Sequence, residues 1–314
     1  MILFTGGTIA GVGNSTSYTS GVLEPELILK DLGEQKEQWS IEAVPFCNLN
    51  SDDIGEEHWI RMAGFINEQA AREDLDGFVI LHGTDTMEET AYFLQLTLKT
   101  EKPVILTGAM KPATELSADG PMNLCQALCT ASSDFAAGMG VLIVFDGMIY
   151  DATTVGKVST CRSGAFSAGD LGAIGRVQGQ EVVFLRKTLR KHTLQTEFVL
   201  QGVESLPKVN VLFFAADASP ELVRMAAEIS DGLVIAGAGS GQFSLAFEQA
   251  LDALSIPVVV STRVQGGILR SGQIMGKNTI PADIHGPAKA AVLLRLALLL
   301  TKDPKELERC FKEY

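Results

Sequence analysis

Residues 77–91 read GFVILHGTDTMEETA, and the fold class follows from this stretch. Gly77 to Leu81 is a continuous apolar run of strand length with no polar alternation, so both of its faces are expected to be covered. A turn follows at Gly83, and from Met87 the pattern becomes that of a helix reaching Leu98. A buried strand that turns at once into a helix is the unit of a parallel sheet, because parallel neighbours need a crossover between them.

The same unit recurs outward from there. Ile2 to Phe4, Val104 to Thr107 and Val141 to Phe145 also read as buried strands, with helices over Glu57 to Ala71 and Met122 to Ser132. Residues Asp151 to Arg186 are rich in Gly and Ser and read as loops with short strands or hairpins. A polar stretch follows, and the alternation restarts at Val209. Strands are expected at Val211 to Ala215, Gly232 to Ala236 and Pro257 to Thr262, and helices at Glu221 to Ile229, Phe243 to Leu254 and Pro287 to Thr301. The expectation is an α/β chain: a larger N-terminal domain over 1–190 with a mainly parallel sheet and flanking helices, a linker over 191–207, and a smaller α/β domain over 208–314. A length of 314 residues suits two domains at roughly 150 residues each.

Hydrophobic residues make up 46 %, enough for packed cores, and the formal net charge is −13. That sign argues against nucleic acid or an anionic membrane as partner. The apolar run Ala288 to Leu300 is interrupted by Lys289 and Arg295 and is too short to span a bilayer. No basic leader follows Met1, and the five cysteines show no paired spacing, so a cytoplasmic location is expected. Cys125 and Cys129 lie four apart with no second ligand pair nearby, which favours buried helical thiols over a zinc site.

Three segments could carry chemistry. Thr5-Gly6-Gly7-Thr8-Ile9-Ala10-Gly11 follows the first strand, where open α/β sheets place ligands. Its threonine could attack a carbonyl or merely cap a helix, and the glycine spacing is not that of a dinucleotide site. In the second segment Asp85-Thr86-Met87-Glu88 fits a capping box, yet a hydroxyl beside a carboxylate at a helix start could equally activate water or hold an ammonium group. His82 reads as a buried structural histidine rather than a base. Third, Lys157 in Thr153-Thr154-Val155-Gly156-Lys157 is either solvated or, if buried beside a threonine, a general base.

Together these pieces resemble the bacterial L-asparaginase family. The carriers are TGGTIAG at 5–11, the quoted stretch at 77–91, GAMKPATELSADGPMNL at 108–124 and the tail TKDPKELERCFKEY at 301–314, and the likeness runs over essentially the whole chain. The body looks more like the type II branch. The resemblance implies a two-domain asparaginase-like fold and hydrolysis of L-asparagine to L-aspartate and ammonia through a threonine acyl-enzyme, with some glutaminase activity. It implies Thr8 as primary nucleophile, Tyr18 as the mobile-loop tyrosine that contacts it, and Thr84, Asp85 and Lys157 as a second triad. Ser51 would bind the substrate carboxylate, Asp85 also the ammonium, and Ala109 would offer its carbonyl near the leaving amide. No metal or organic cofactor is expected. The partner is a small molecule, and the resemblance implies a homo-oligomer, a tetramer built as a dimer of dimers.

Three departures bear on specificity. Asp52 stands where type II enzymes commonly have glutamine. Ser240 stands where many have an asparagine reaching into the neighbouring subunit's site. The family's cross-subunit glutamate has no clear match in Gln265 to Ile284, which looks shortened. Two other functions share the motifs: an asparaginase-like subunit of a tRNA-dependent amidotransferase, and a non-catalytic amino-acid-binding module. The first carries an extra N-terminal domain, whereas here the first strand starts at residue 2; the retained Thr8, Thr84, Asp85 and Lys157 argue against the second.

Overall fold

The computed structural model describes residues 1–314 except 15, 271, 273–275, 277 and 278. The chain divides into two compact units, Met1–Gln195 and Thr196–Tyr314. The strands of the first unit are β1 (Ile2–Gly6), β2 (Val12–Asn14), β3 (Ser17–Thr19), β4 (Ala43–Leu49), β5 (Phe78–Leu81), β6 (Val104–Thr107), β7 (Val141–Phe145), β8 (Met148–Asp151), β9 (Gly156–Lys157), β10 (Phe166–Ser167), β11 (Gly175–Gln178) and β12 (Glu181–Phe184). Its α-helices are α1 (Pro25–Lys30), α2 (Glu56–Gln69), α3 (Met87–Thr97) and α4 (Gly120–Ala131).

The central sheet has 8 strands in the order β12-β11-β8-β7-β6-β5-β1-β4. From β7 to β4 every pairing is parallel, while β8, β11 and β12 add antiparallel strands on the other side. Every residue of β5 is buried, as a parallel strand covered on both faces requires. Val79, Leu81, Ile105 and Leu142 share one core with Leu124, Ala127 and Leu128 of α4. Residues on the opposite face, such as Phe78, Ile80 and Ile143, are buried as well, and the stacked rings of Trp59 and Phe93, 5.3 Å apart, join α2 to α3.

Sequence pattern alone does not mark β4. Its burial alternates and it contains Pro45, which argues against a strand unless the strand is an edge; β4 is the edge beside β1. Parallel pairing sets Phe4 of β1 against Leu81 of β5. The turns that follow these two residues therefore emerge side by side at the carboxyl edge of the sheet, the place where ligands bind in such folds.

The second unit has β13 (Val209–Phe213), β14 (Gly232–Gly237), β15 (Val258–Thr262) and β16 (Thr279–Pro281), with α5 (Glu221–Glu228), α6 (Leu245–Asp252), α7 (Pro287–Ala297) and α8 (Pro304–Glu313). Its 4 strands are parallel in sequence order. Phe214, Phe243 and Phe247 pack with Leu233, Ile235 and Val260 in its core. The tail forms α8, where Arg309 pairs with Glu197 at 2.6 Å and Tyr314 donates to the same carboxylate at 2.9 Å. Among the described residues no helix is long and apolar enough to cross a membrane.

Candidate active site

β1 ends at Gly6 and Gly7 follows it, with φ of 103° and 82°. Only glycine adopts these values without strain. Gly7 has a second reason: a Cβ there would lie 2.7 Å from the Cα and N of Gly83. The turn after β1 therefore packs backbone to backbone against the turn after β5. Thr8 opens a short 3-10 turn, is buried, and shares a 2.8 Å hydrogen bond between its Oγ1 and the Tyr18 Oη.

The turn after β5 rests on a buried polar scaffold. His82 is fully buried, with Nδ1 2.7 Å from the Gly83 carbonyl and Nε2 3.0 Å from Thr90 Oγ1. Thr90 Oγ1 also accepts from the Trp59 indole at 2.9 Å. Burial pushes the imidazole pKa down to about 4, so at neutral pH His82 is an uncharged structural group, as expected from sequence. Gly83 leaves room for Ser51: a Cβ at 83 would lie 2.9 Å from the Ser51 Oγ. Buried Ser51 accepts from the Asp85 N–H at 3.2 Å through its hydroxyl and from the Thr86 hydroxyl at 2.5 Å through its carbonyl.

Lys157 lies on β9, and its Nζ donates to Thr84 Oγ1 at 2.8 Å and to Asp85 Oδ1 at 2.5 Å. The lysine side chain is 16 % exposed and that of Asp85 71 %, so the pair is open to solvent from the carboxylate side. The capping box that the sequence allows at Asp85 to Glu88 does not form. The cap residue of α3 is Thr86, with no side-chain cap bond. Asp85 turns to Lys157 instead, and Glu88 Oε2 accepts the Lys157 backbone N–H at 2.6 Å.

Ala109 follows β6 and is buried; a Cβ on Gly120 would meet both Ile9 and Ala109, which places the Ala109 turn against the Thr8 turn. Asp119 clamps the Ala109 turn by accepting from the N–H groups of Met110 at 3.0 Å and Lys111 at 2.9 Å. Asn123 donates to the Gly108 carbonyl at 2.9 Å. Neither residue stands out by residue type. Their signal is position, one at the cap of α4 and one in its first turn. Asp52 is exposed on the 3-10 turn begun by Ser51. Among the described residues no group of three or more His, Cys, Asp or Glu is placed to hold a metal ion. Cys125 and Cys129 are buried on α4, and burial raises both thiol pKa values, that of Cys129 to about 12.

The hairpin of β2 and β3 carries Tyr18 and is mostly exposed. It is nonetheless tied down. Thr114 Oγ1 accepts from Gly13 N–H at 2.8 Å and donates to Gly13 O at 2.7 Å. Ala113 N–H donates to Gly11 O at 3.0 Å. At the far end Asn48 Nδ2 donates to Gly21 O at 2.7 Å and the Ser20 hydroxyl bonds to Asn50. Sequence reading found Tyr18 but not this latch.

Ser240 belongs to the second unit, at the exposed tip of a tight turn closed by Ala238 N–H to Gln242 O at 2.8 Å and the reverse bond at 2.7 Å. Of the stretch Gln265 to Ile284, which has no clear match to the family's cross-subunit glutamate, residues 271, 273–275, 277 and 278 lie outside the described residues.

Comparison with known proteins gives this arrangement a family. Residues 1–190 match the model for the asparaginase N-terminal domain, and residues 208–311 the model for the glutaminase/asparaginase C-terminal domain. The chain belongs to the asparaginase family. Probable L-asparaginase periplasmic of Haemophilus influenzae is 38 % identical, covering 100 % of this chain and 92 % of that protein. L-asparaginase 2 of Escherichia coli is 36 % identical, covering 100 % and 92 %, and glutaminase-asparaginase of Pseudomonas fluorescens is 35 % identical, covering 100 % and 90 %. The crystal structure of probable cytoplasmic L-asparaginase from Campylobacter jejuni superposes with a TM-score of 0.94 at 36 % identity, covering 100 % of this chain and 98 % of that one. The asparaginase resemblance and the two-domain α/β fold read from the sequence both hold.

Proposed function

We propose that this asparaginase-family enzyme hydrolyses L-asparagine to L-aspartate and ammonia, with a slower reaction on L-glutamine. One observation carries the reading: two threonine hydroxyls stand on touching turns at adjacent strand ends, one bonded to Tyr18 and the other to Lys157. Amide hydrolysis needs an activated hydroxyl, a donor set for the oxyanion and a proton for the departing amine.

In the proposed sequence the Thr8 oxygen attacks the side-chain amide carbon. The threonine proton passes by way of the Tyr18 hydroxyl to the amide nitrogen, the C–N bond breaks, and ammonia leaves. Water then attacks the Thr8 ester. Thr84 takes a proton from that water as the Lys157 amine takes the Thr84 proton; the ester C–O bond then breaks, the proton held by Lys157 passes back to the Thr8 oxygen, and L-aspartate leaves. Asp85 steers the lysine and grips the substrate ammonium. The Ser51 hydroxyl already accepts from Asp85 N–H, which leaves its proton to donate to the substrate carboxylate. That same bond occupies the Asp85 amide, which leaves the other backbone amides of the turn to hold the oxyanion. The Ala109 carbonyl receives the leaving amide.

Ammonia release from L-asparagine by the purified chain without tRNA tests the reading. No release would sink it and favour the amidotransferase or binding-module alternatives. Assembly as a homotetramer, with Ser240 completing a neighbour's site, belongs to the same proposal. Serine is shorter than asparagine, so one hydrogen bond to the substrate's amino side is missing, worth about 1 kcal/mol or a factor of about five. Ser240→Asn should raise kcat/KM for asparagine by up to about fivefold; a fully active monomer by light scattering would remove that role from Ser240. A cytoplasmic location rests on the name of the Campylobacter neighbour alone, whereas the Haemophilus name points to the periplasm; cell fractionation decides between them.

A further inference from the structure

Glu88 is half-buried in the first turn of α3, the helix whose approach carries Thr84 and Asp85. Among the described residues its carboxylate neither caps that helix nor pairs with a cation. It reaches across to β9 and accepts the Lys157 main-chain N–H at 2.6 Å. β9 is only 2 residues long and pairs with β10 through Phe166 opposite Lys157 and Ser167 opposite Gly156. So short a ladder fixes a side chain's direction poorly by itself. The preceding residue is fitted to the same carboxylate, since a Cβ on Gly156 would stand 3.0 Å from Glu88 Oε2. From this anchored backbone the lysine reaches both Thr84 Oγ1 and Asp85 Oδ1.

We infer that Glu88 is a positioning residue, holding the Lys157 backbone at a fixed distance from α3 so that the amine end meets the Thr84 hydroxyl. A charge-assisted bond from a backbone N–H to a carboxylate is stronger and shorter than a neutral one. Because Thr84, Asp85 and Glu88 all belong to one turn and helix, the anchor and its target move together. A displacement of the amine by about an ångström is enough to cost a large factor in rate. This inference rests on the proposed role of Lys157 as a base, and the test separates the two.

Glu88→Ala should lower kcat for asparagine at least about tenfold with KM within about twofold, since the substrate binders Ser51 and Asp85 stay in place. Glu88→Gln keeps an acceptor oxygen at the same reach and should return kcat to within about threefold of the parent. Glu88→Asp is too short to reach the Lys157 N–H and should stay at least about tenfold slow. A folded Glu88→Ala protein with kcat within twofold of the parent would overturn the inference, as would Glu88→Gln falling as far as Glu88→Ala. If Glu88→Ala does not fold, the pair Glu88→Gln and Glu88→Asp decides: an active Gln with a slow Asp supports the anchor, and equal rates overturn it. Lys157→Met is run beside them. Parent-like activity in Lys157→Met sinks the base assignment itself, whereas a dead Lys157→Met with an unaffected Glu88→Ala sinks only the anchor.

Discussion

The Thr84 turn and the Thr8 turn touch, yet they are held by different means. Around Thr84 the groups are fixed from below: buried His82, Thr90 and Trp59 form one hydrogen-bonded chain, and Ser51, Asp85 and Lys157 close over it. Around Thr8 the partner hydroxyl comes from Tyr18, which is 45 % exposed on a hairpin attached by surface bonds to Thr114, Asn48 and Asn50. Bonds between exposed groups compete with water and open at little free-energy cost, while buried networks open only with the fold. The enzyme thus sets a built half against a gated half. In the proposed reaction a substrate would enter by displacing the second without disturbing the first.

The largest expected effect comes from removing the reactive group of either half. If Thr8 and Lys157 are the nucleophile and base proposed above, Thr8→Ala and Lys157→Met should each lower kcat at least about a thousandfold while leaving the melting temperature near that of the parent. Near-normal turnover in Thr8→Ala would move the nucleophile to Thr84 and reverse the comparison, making the built half the attacking one.

A second prediction concerns the scaffold of the built half. The His82 pKa is about 4 in the fold against about 6.5 unfolded. Between those values the unfolded chain binds a proton that the folded chain does not, so stability is full above about pH 6.5 and falls as pH drops toward 4. Two and a half units amount to about 3 kcal/mol. His192, whose pKa burial also lowers, adds to the slope. Melting temperature measured from pH 7 to 4 should fall less steeply in His82→Gln than in the parent. An identical slope in the two proteins would mean that His82 is solvated after all.

How much of this could be read from the sequence divides along the same line. The strand and turn of residues 77–91 were readable because burial on both faces leaves a continuous apolar run, and His82 was recognisable as structural from its place at a strand end. Thr84 and Asp85 were visible locally, but nothing local says that Lys157, 73 residues on from Thr84, closes over them; only the family resemblance proposed that meeting, which the hydrogen bonds display. Glu88 misled because a carboxylate at that spacing fits a capping box equally well, and its true acceptor duty is to a strand 69 residues away. β4 escaped because Pro45 and an alternating face look unlike the core strands. The latch on the gated half joins residues 101 apart, a pairing that composition and periodicity do not encode.

The smallest expected effect tests the gate itself. Thr114→Val keeps shape but removes the hydroxyl that both accepts from Gly13 N–H and donates to Gly13 O. All these groups are exposed, so water replaces the bonds and the net loss is about 1 kcal/mol. That shifts the ratio of seated to lifted hairpin by a factor of about five. Because Tyr18 meets Thr8 only when the hairpin is seated, kcat/KM for asparagine should fall by up to about fivefold, with amide exchange over residues 12–19 faster by a similar factor. The built half has no part in this equilibrium, so exchange in β5 and α3 should stay at the parent rate. Faster exchange in β5 as well would show that the two turns open as one unit and would remove the distinction between them. Unchanged exchange over 12–19 would show that Asn48 and Asn50 hold the hairpin without Thr114.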